Sequence, residues 1–398
     1  MIFEVAKTHS RIATIIISFD AGSRVESKSD HNLGISHMLE HSLFKGTANM
    51  SAMEIQKRIA FLGGSSNAFT SHESVAYYVS VPYENLEPCV EILSDMVFNP
   101  VFPEDEILRE IEVVKEEELS RKENVSSFIW ESFSKEFFGD HYLGTPVIGF
   151  QETIDKFSRE ELVRFHEKYC QRSNAIISLC CNLTKKDSKS LLKKYFGRAN
   201  GKLKKLHKFS APTYRASNSV ELTRENVEQT HVWMGMPSVK NSDERSPAIK
   251  LMMTILGSGM DSRLFEEVRE KRGLVYGISS SSTSWQTGGF SLVQFSTRDS
   301  NVREAKDVVF VELEKIKNHL VSDEELQRAK NKLRASFYAA VEDSYNIAYW
   351  QIKRRLLGIP SIDDYMSSIE TTTPDDIRSV SNAVFDTSKL LEVTCRKK

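Results

Sequence analysis

A chain of 398 residues exceeds one ordinary core, so two or three domains are expected, with two the starting estimate. Apolar residues at 40% and charged residues at 27% exclude a chain dominated by disorder, and a net charge of −2 gives no global reason to bind nucleic acid or an anionic membrane. Five cysteines without C-x-x-C spacing indicate neither a disulfide framework nor a cysteine zinc site, and the lack of an apolar leader or of eighteen consecutive apolar residues leads to a soluble, intracellular or cytoplasmic protein with no membrane insertion.

In chain order, Arg11–Phe19 is the first strand candidate, and GISHMLEH at 34–41 follows with helical character. Histidines at i and i+4 share one face of a helix, so His37 and His41 can meet one tetrahedral metal ion, and Glu40 falls beside the same ion. The order H-x-x-E-H inverts the H-E-x-x-H of common zinc proteases with the same chemical content. Gly63-Gly64 suits a turn into a strand, and Ser74–Val81 is the next strand.

EIEVVKEEE at 110–118 is the best source of a third metal donor. Glu110 and Glu117 lie seven residues apart on one helical face, so Glu117 would ligate while Glu110 hydrogen-bonds a ligand histidine from behind. Taken alone, the segment reads more simply as a solvated acidic face. His9, His31, His72, His141, His166, His207 and His231 lack i+4 partners and read as surface or core residues.

Residues 153–181 run as Ser158 cap, acidic first turn, amphipathic helix and apolar strand. RANGKLKKLHKFSAPTYRAS at 198–217 is polar and basic and reads as a solvated linker. Gln229–Met236 and Gly288–Phe295 are strand candidates of the second half. Residues 369–395 repeat the cap, helix and strand of 153–181 with Thr373 as the matching cap, and VSDEELQRA at 321–329 repeats FPEDEILRE at 102–110. Both repeats share an offset close to 217 residues, which indicates a duplicated unit.

Each half therefore reads as an α+β domain on a largely antiparallel sheet. The expected division is 1–200, a linker at 201–217, and 218–398, the two domains closing like a clamshell. At the same offset the histidine motif falls on KLMMTILGSG (250–259), which has no histidine, so only the first half can hold metal.

GISHMLEHSLFKGT at 34–47 resembles the zinc-binding segment of the pitrilysin/insulinase family, whose two-half members include bacterial processing peptidases and the mitochondrial processing peptidase. That family places its glutamate ligand about 76 residues past the second histidine; Glu117 lies 76 residues after His41, and Glu110 falls at the family's other glutamate. Ile111 stands where the family usually has arginine, a departure outside the metal shell. GGSSNAFTSHESVAYY at 63–78 resembles the family's substrate edge strand, which implies substrate binding by Asn67, Ala68 and Phe69. HYLGTPVIG at 141–149 resembles the turn after the long helices, and SRLFEEVREKRGLVYG at 262–277 resembles the segment that supplies an arginine and a tyrosine to the site, here Arg269 and Tyr276.

The resemblance implies two homologous metallohydrolase domains and one Zn2+ per chain. It further implies extended peptide substrates; similar proteins often form homodimers, while both halves and the arginine–tyrosine pair on one chain would also let a monomer complete the site. The expected chemistry is peptide hydrolysis in a closed chamber. Zinc on His37, His41 and Glu117 lowers the pKa of water towards about 7, Glu40 shuttles the proton, and Arg269 with Tyr276 stabilises the oxyanion. The competing reading is a non-catalytic peptide-binding or scaffold subunit, and a zinc hydrolase for a non-peptide substrate is a third.

Overall fold

The computed structural model describes residues 1–201, 209–215 and 218–398. The first half runs β1 (Ile2–Lys7), β2 (Ile12–Phe19), α1 (Ile35–Ser42), α2 (Ala52–Phe61), β3 (Ser65–Thr70), β4 (Val75–Pro82), α3 (Leu86–Phe98), α4 (Glu104–Glu123), α5 (Val125–Phe138), α6 (Gln151–Ile154), α7 (Arg159–Tyr169), β5 (Ala175–Cys181) and α8 (Lys185–Phe196). The second runs β6 (Asn218–Arg224), β7 (Thr230–Ser238), α9 (Ser246–Gly257), a π-helical turn (Phe265–Glu270), β8 (Gly277–Ser284), β9 (Gly289–Thr297), α10 (Val302–Asn318), α11 (Asp323–Val341), α12 (Ser344–Leu357), α13 (Ile362–Thr371), α14 (Pro374–Val384) and β10 (Leu391–Lys397).

The duplication is visible in the sheets. Their strand orders, β1-β5-β2-β4-β3 and β6-β10-β7-β9-β8, are the same order written twice. In each, only the outermost pair is parallel, β1 with β5 and β6 with β10, and the other pairs are antiparallel. The four strand candidates are β2, β4, β7 and β9, and the repeated helix–strand pairs are α7–β5 and α14–β10. Ser158 and Thr373 both cap their helices, each accepting from the backbone N–H three residues on while that residue's carboxylate returns the bond.

Alternation along the strands explains why both sheets are covered on both faces. In β2 and β4, Ile15, Ile17, Phe19, Val75, Tyr77 and Val79 join the core that includes α1 and α3, whereas Thr14 hydrogen-bonds Ser344 of α12 and Tyr78 packs on Tyr345. In β7, Val232, Met234 and Met236 face α9, α10 and α14, whereas Trp233 faces an aromatic cluster built on Phe133, Phe137 and Phe138 of α5.

The contacts therefore group the chain into two compact units that interleave its halves. One holds the described residues of Met1–Glu123, Thr145–Lys208 and Tyr338–Leu356; the other holds those of Asn124–Gly144, Phe209–Phe337 and Leu357–Lys398. The division at 1–200 and 218–398 follows the sequence repeat, whereas α5 packs with the second sheet and α12 with the first. Of the expected linker 201–217, residues 202–208 and 216–217 lie outside the described residues, while Tyr214 packs its ring at a tilt against Phe137 and Phe138 and accepts from the Gly289 N–H. Among the described residues no helix is long and apolar enough to cross a membrane.

The packing of α5 on β7 is close enough to test. A Cβ at Gly235 would stand 2.2 Å from the Phe133 ring. Gly235→Ala is expected to destabilise the fold by about 1–3 kcal/mol through overpacking, read by denaturant unfolding; an unchanged midpoint would contradict the packing.

Candidate metal centre

Helix α1 is eight residues long and carries His37, Glu40 and His41; α4 carries Glu110 and Glu117. The two helices pack together in the first unit. That packing brings one ligand atom from each of His37, His41 and Glu117 within 4.8 Å of the others, the one such grouping of His, Cys, Asp and Glu among the described residues. Glu117 Oε2 lies 3.6 Å from both His37 Nε2 and His41 Nε2. A tetrahedral ion with bonds near 2.1 Å has edges of about 3.4 Å, so the spacing and the two-nitrogen, one-oxygen donor set suit zinc.

Behind the donors, Glu110 is buried and its Oε2 lies 3.0 Å from His41 Nδ1, which leaves Nε2 directed at Glu117. Lys45, one helical turn past His41, pairs with the other Glu110 oxygen. His37 Nδ1 is buried without a hydrogen-bond partner. The two imidazoles meet edge to face at 4.7 Å.

Electrostatics separate the two histidines. Burial, with His41 alongside, pushes His37 down to about 4 despite the attraction of Glu117. Burial also works against charge on His41, but the Glu117 and Glu110 carboxylates outweigh it and hold the ring above its ordinary value. His41 in turn holds Glu117 below the usual carboxylate range. An ion bound there would therefore compete chiefly with the proton on His41 rather than with one on His37 or Glu117. The expected affinity rises about tenfold per pH unit from about pH 5 up to the His41 pKa and then levels off, as competition titration against a chelator would show; a two-proton slope would contradict it.

Glu40 is not one of the three donors. Burial raises its carboxyl, although the Thr70 hydroxyl donates to Glu40 Oε2 at 2.5 Å. Thr70 and Lys45 were not singled out from sequence. Both sit inside the segments with family resemblance, but the contacts depend on how α1 packs against β3 and α4.

Beside Glu40 and His41 a cleft of about 400 Å³ opens between α1, α2 and β3, lined by Lys45, Gln56, Ile59, Ser66 and Asn67 among others. Strand β3 ends its sheet and pairs only with β4, so its outer edge has no strand partner among the described residues. The Asn67 side chain already accepts from the Ala68 N–H at 2.8 Å on that strand. Phe69 alternates to the face opposite Thr70, where its ring meets Tyr349 of α12 at 5.1 Å. Of the three expected substrate residues, Asn67 and Ala68 thus offer the edge, and the Phe69 ring is engaged in packing.

Arg269 and Tyr276 belong to the second unit. Arg269 is the penultimate residue of the π-helical turn, where Lys271 N–H reaches Glu266 O and Gly273, at φ +62°, closes the helix. Its guanidinium lies over the rings of Phe265 at 4.6 Å and Tyr276 at 5.2 Å, and Tyr276 is 78% exposed. In the second sheet's unit α9 takes the place of α1, and its apolar residues are buried where α1 carries histidines.

Residues 2–149 match the family described as insulinase, peptidase family M16, and residues 156–333 match its companion described as the peptidase M16 inactive domain. A Streptomyces coelicolor protein named an uncharacterized zinc protease is 32% identical over 390 residues, covering 96% of this chain and 84% of its own length. A Bacillus subtilis protein named the uncharacterized zinc protease YmxG is 29% identical, covering 94% of this chain and 91% of its own length. Among solved structures, a protease from Helicobacter pylori superposes with a TM-score of 0.88 at 23% identity, covering 97% of this chain and 95% of that one, which shows the fold.

Proposed function

Because the chain belongs to the insulinase (M16) peptidase family, we propose that it is a zinc-dependent endopeptidase or oligopeptidase acting on extended peptides. The observation that carries this reading is the convergence of His37, His41 and Glu117, whose Oε2 lies 3.6 Å from both imidazole Nε2 atoms, with Glu40 one residue from a donor and outside the donor set. One ion per chain would be held by those three residues. Bound there, zinc would supply a Lewis acid that acidifies water and polarises a peptide carbonyl.

The remaining work falls to the chain's own groups. Glu110 holds His41 in the tautomer that presents Nε2 to the metal. Glu40, whose carboxyl burial raises above its ordinary value, takes a proton from the attacking water and returns it to the leaving amine. Thr70 fixes which Glu40 oxygen is free to do so. The substrate backbone adds along the open edge of β3, where it displaces the Asn67 side chain from the Ala68 N–H and leaves Asn67 free to bind substrate. Arg269 and Tyr276 are assigned to the charge on the former carbonyl oxygen, a role supported by their mutual stacking and exposure.

The test is cleavage of a quenched-fluorescent peptide pool with and without chelator. Activity should disappear with chelator and return with added zinc, and Arg269→Ala should lower turnover with zinc content unchanged. Chelator-resistant cleavage would remove metal from the mechanism. A second reading, a non-catalytic peptide-binding subunit, is favoured by the match of 156–333 to an inactive domain. It predicts peptide binding without cleavage in the same assay.

A further inference from the structure

The N-terminus of the ligand helix is capped by a residue that neither the motif nor the mechanism above uses. Helices α2, α7, α8, α13 and α14 are capped by their own Ser or Thr, at Ser51, Ser158, Thr184, Ser361 and Thr373, and α5 by Asn124, each side chain accepting from the first turn. Helix α1 has no such cap, because Gly34 stands at that position with φ +95°. It has to be glycine, since a Cβ there would lie 2.3 Å from the Ile148 carbonyl oxygen, and one on Gly149 would lie 2.4 Å from the Leu33 oxygen. The backbone crossing of 33–34 with 148–149 thus excludes a local capping side chain.

The duty passes to Glu26, eight residues upstream. Its Oε2 accepts from the Gly34 N–H at 2.7 Å and its Oε1 from the Ser36 N–H at 2.9 Å. The segment that bears Glu26 is itself anchored on the β3–β4 turn. Arg24 N–H donates to His72 O, Ser23 N–H to Ser71 O, and the buried Arg24 guanidinium pairs with Asp20 and Glu73. Thr153 completes the arrangement by donating to Leu33 O at 2.7 Å. Burial raises the Glu26 carboxyl to about 7 even against its two N–H donors, so the group is held away from water in order to reach α1.

We propose that Glu26 is a positioning residue of the metal centre, serving as a borrowed N-cap that fixes the first turn of α1 and with it the placement of His37. His37 is the third residue of a two-turn helix, in the turn whose N–H groups have no intrahelical partners. A helix that short does not hold itself together. Without Glu26 the first turn frays and His37 leaves the donor set, whereas His41 stays tied to Glu110.

The inference rests on the metal reading above, and zinc affinity by chelator competition separates the two. If the wild-type chain binds no zinc, the metal reading fails. If it binds zinc, Glu26→Ala should weaken affinity by roughly 10–100-fold, the range for loss of an outer-shell partner. Glu26→Gln, which keeps the shape and one acceptor oxygen, should lose less, and amide hydrogen exchange at Gly34 and Ser36 should quicken in both. Thr184→Ala removes the cap of α8 and should leave zinc affinity unchanged. The proposal is overturned if a folded Glu26 variant binds zinc as the wild type does, or if Thr184→Ala weakens zinc equally. Should Glu26→Ala fail to fold, the isosteric Glu26→Gln carries the same readouts.

Discussion

Glu40→Gln is expected to keep its zinc and lose peptide hydrolysis by roughly 10²–10⁴-fold, the range for removal of a positioned general acid–base group. The separation of the two effects follows from the geometry. Glu40 is outside the donor set, its Oε2 accepts from the Thr70 hydroxyl, and an amide of the same shape can keep that bond. What the amide cannot do is take a proton from water. The loss should therefore fall on kcat, with metal content by atomic emission unchanged. Wild-type turnover in this variant would take Glu40 out of the mechanism.

Glu117→Ala is expected to act on the metal itself. Its carboxylate is the one donor that α1 cannot supply, and without it His37 and His41 present two imidazoles 4.7 Å apart on a single helix. Zinc affinity should fall by more than the roughly 10–100-fold expected for Glu110→Ala, which only releases His41 from behind. Activity in Glu117→Ala should recover in part with excess zinc. Equal zinc affinity in the wild type and both variants would place the ion elsewhere.

These two residues also mark how far the sequence could be read. His37, Glu40 and His41 are adjacent because helical geometry puts i, i+3 and i+4 on one face, and local spacing suffices for that. Glu117 is different: EIEVVKEEE alone reads more simply as a solvated face, the 76-residue spacing of the family resemblance singled it out, and the packing of α4 on α1 brings it beside both histidines. Glu26 was missed for a related reason. A missing Ser or Thr before α1 gives no hint of which distant carboxylate replaces it, and the steric demand at Gly34 comes from a backbone segment more than a hundred residues away.

The duplication and both helix caps were legible at 158 and 373 because cap, acidic turn and apolar strand form one local pattern. The exchange of α5 and α12 between units was not. An amphipathic helix fits either sheet by pattern alone, and what selects α5 for the second sheet is a shape match, Phe133 lying over the bare backbone of Gly235. Phe69 carries the same lesson at the scale of a strand. Period-two alternation placed its ring beside Tyr349, on the face away from Thr70, although Thr70, the next residue, bonds Glu40.

Zinc K-edge X-ray absorption on the loaded protein tests the central claim most directly. About two imidazole nitrogens and a carboxylate oxygen are expected at roughly 2.0–2.2 Å, with one imidazole lost in His37→Ala and the oxygen shell diminished in Glu117→Ala. A sulfur shell near 2.3 Å, or a spectrum unaltered by both substitutions, would contradict it.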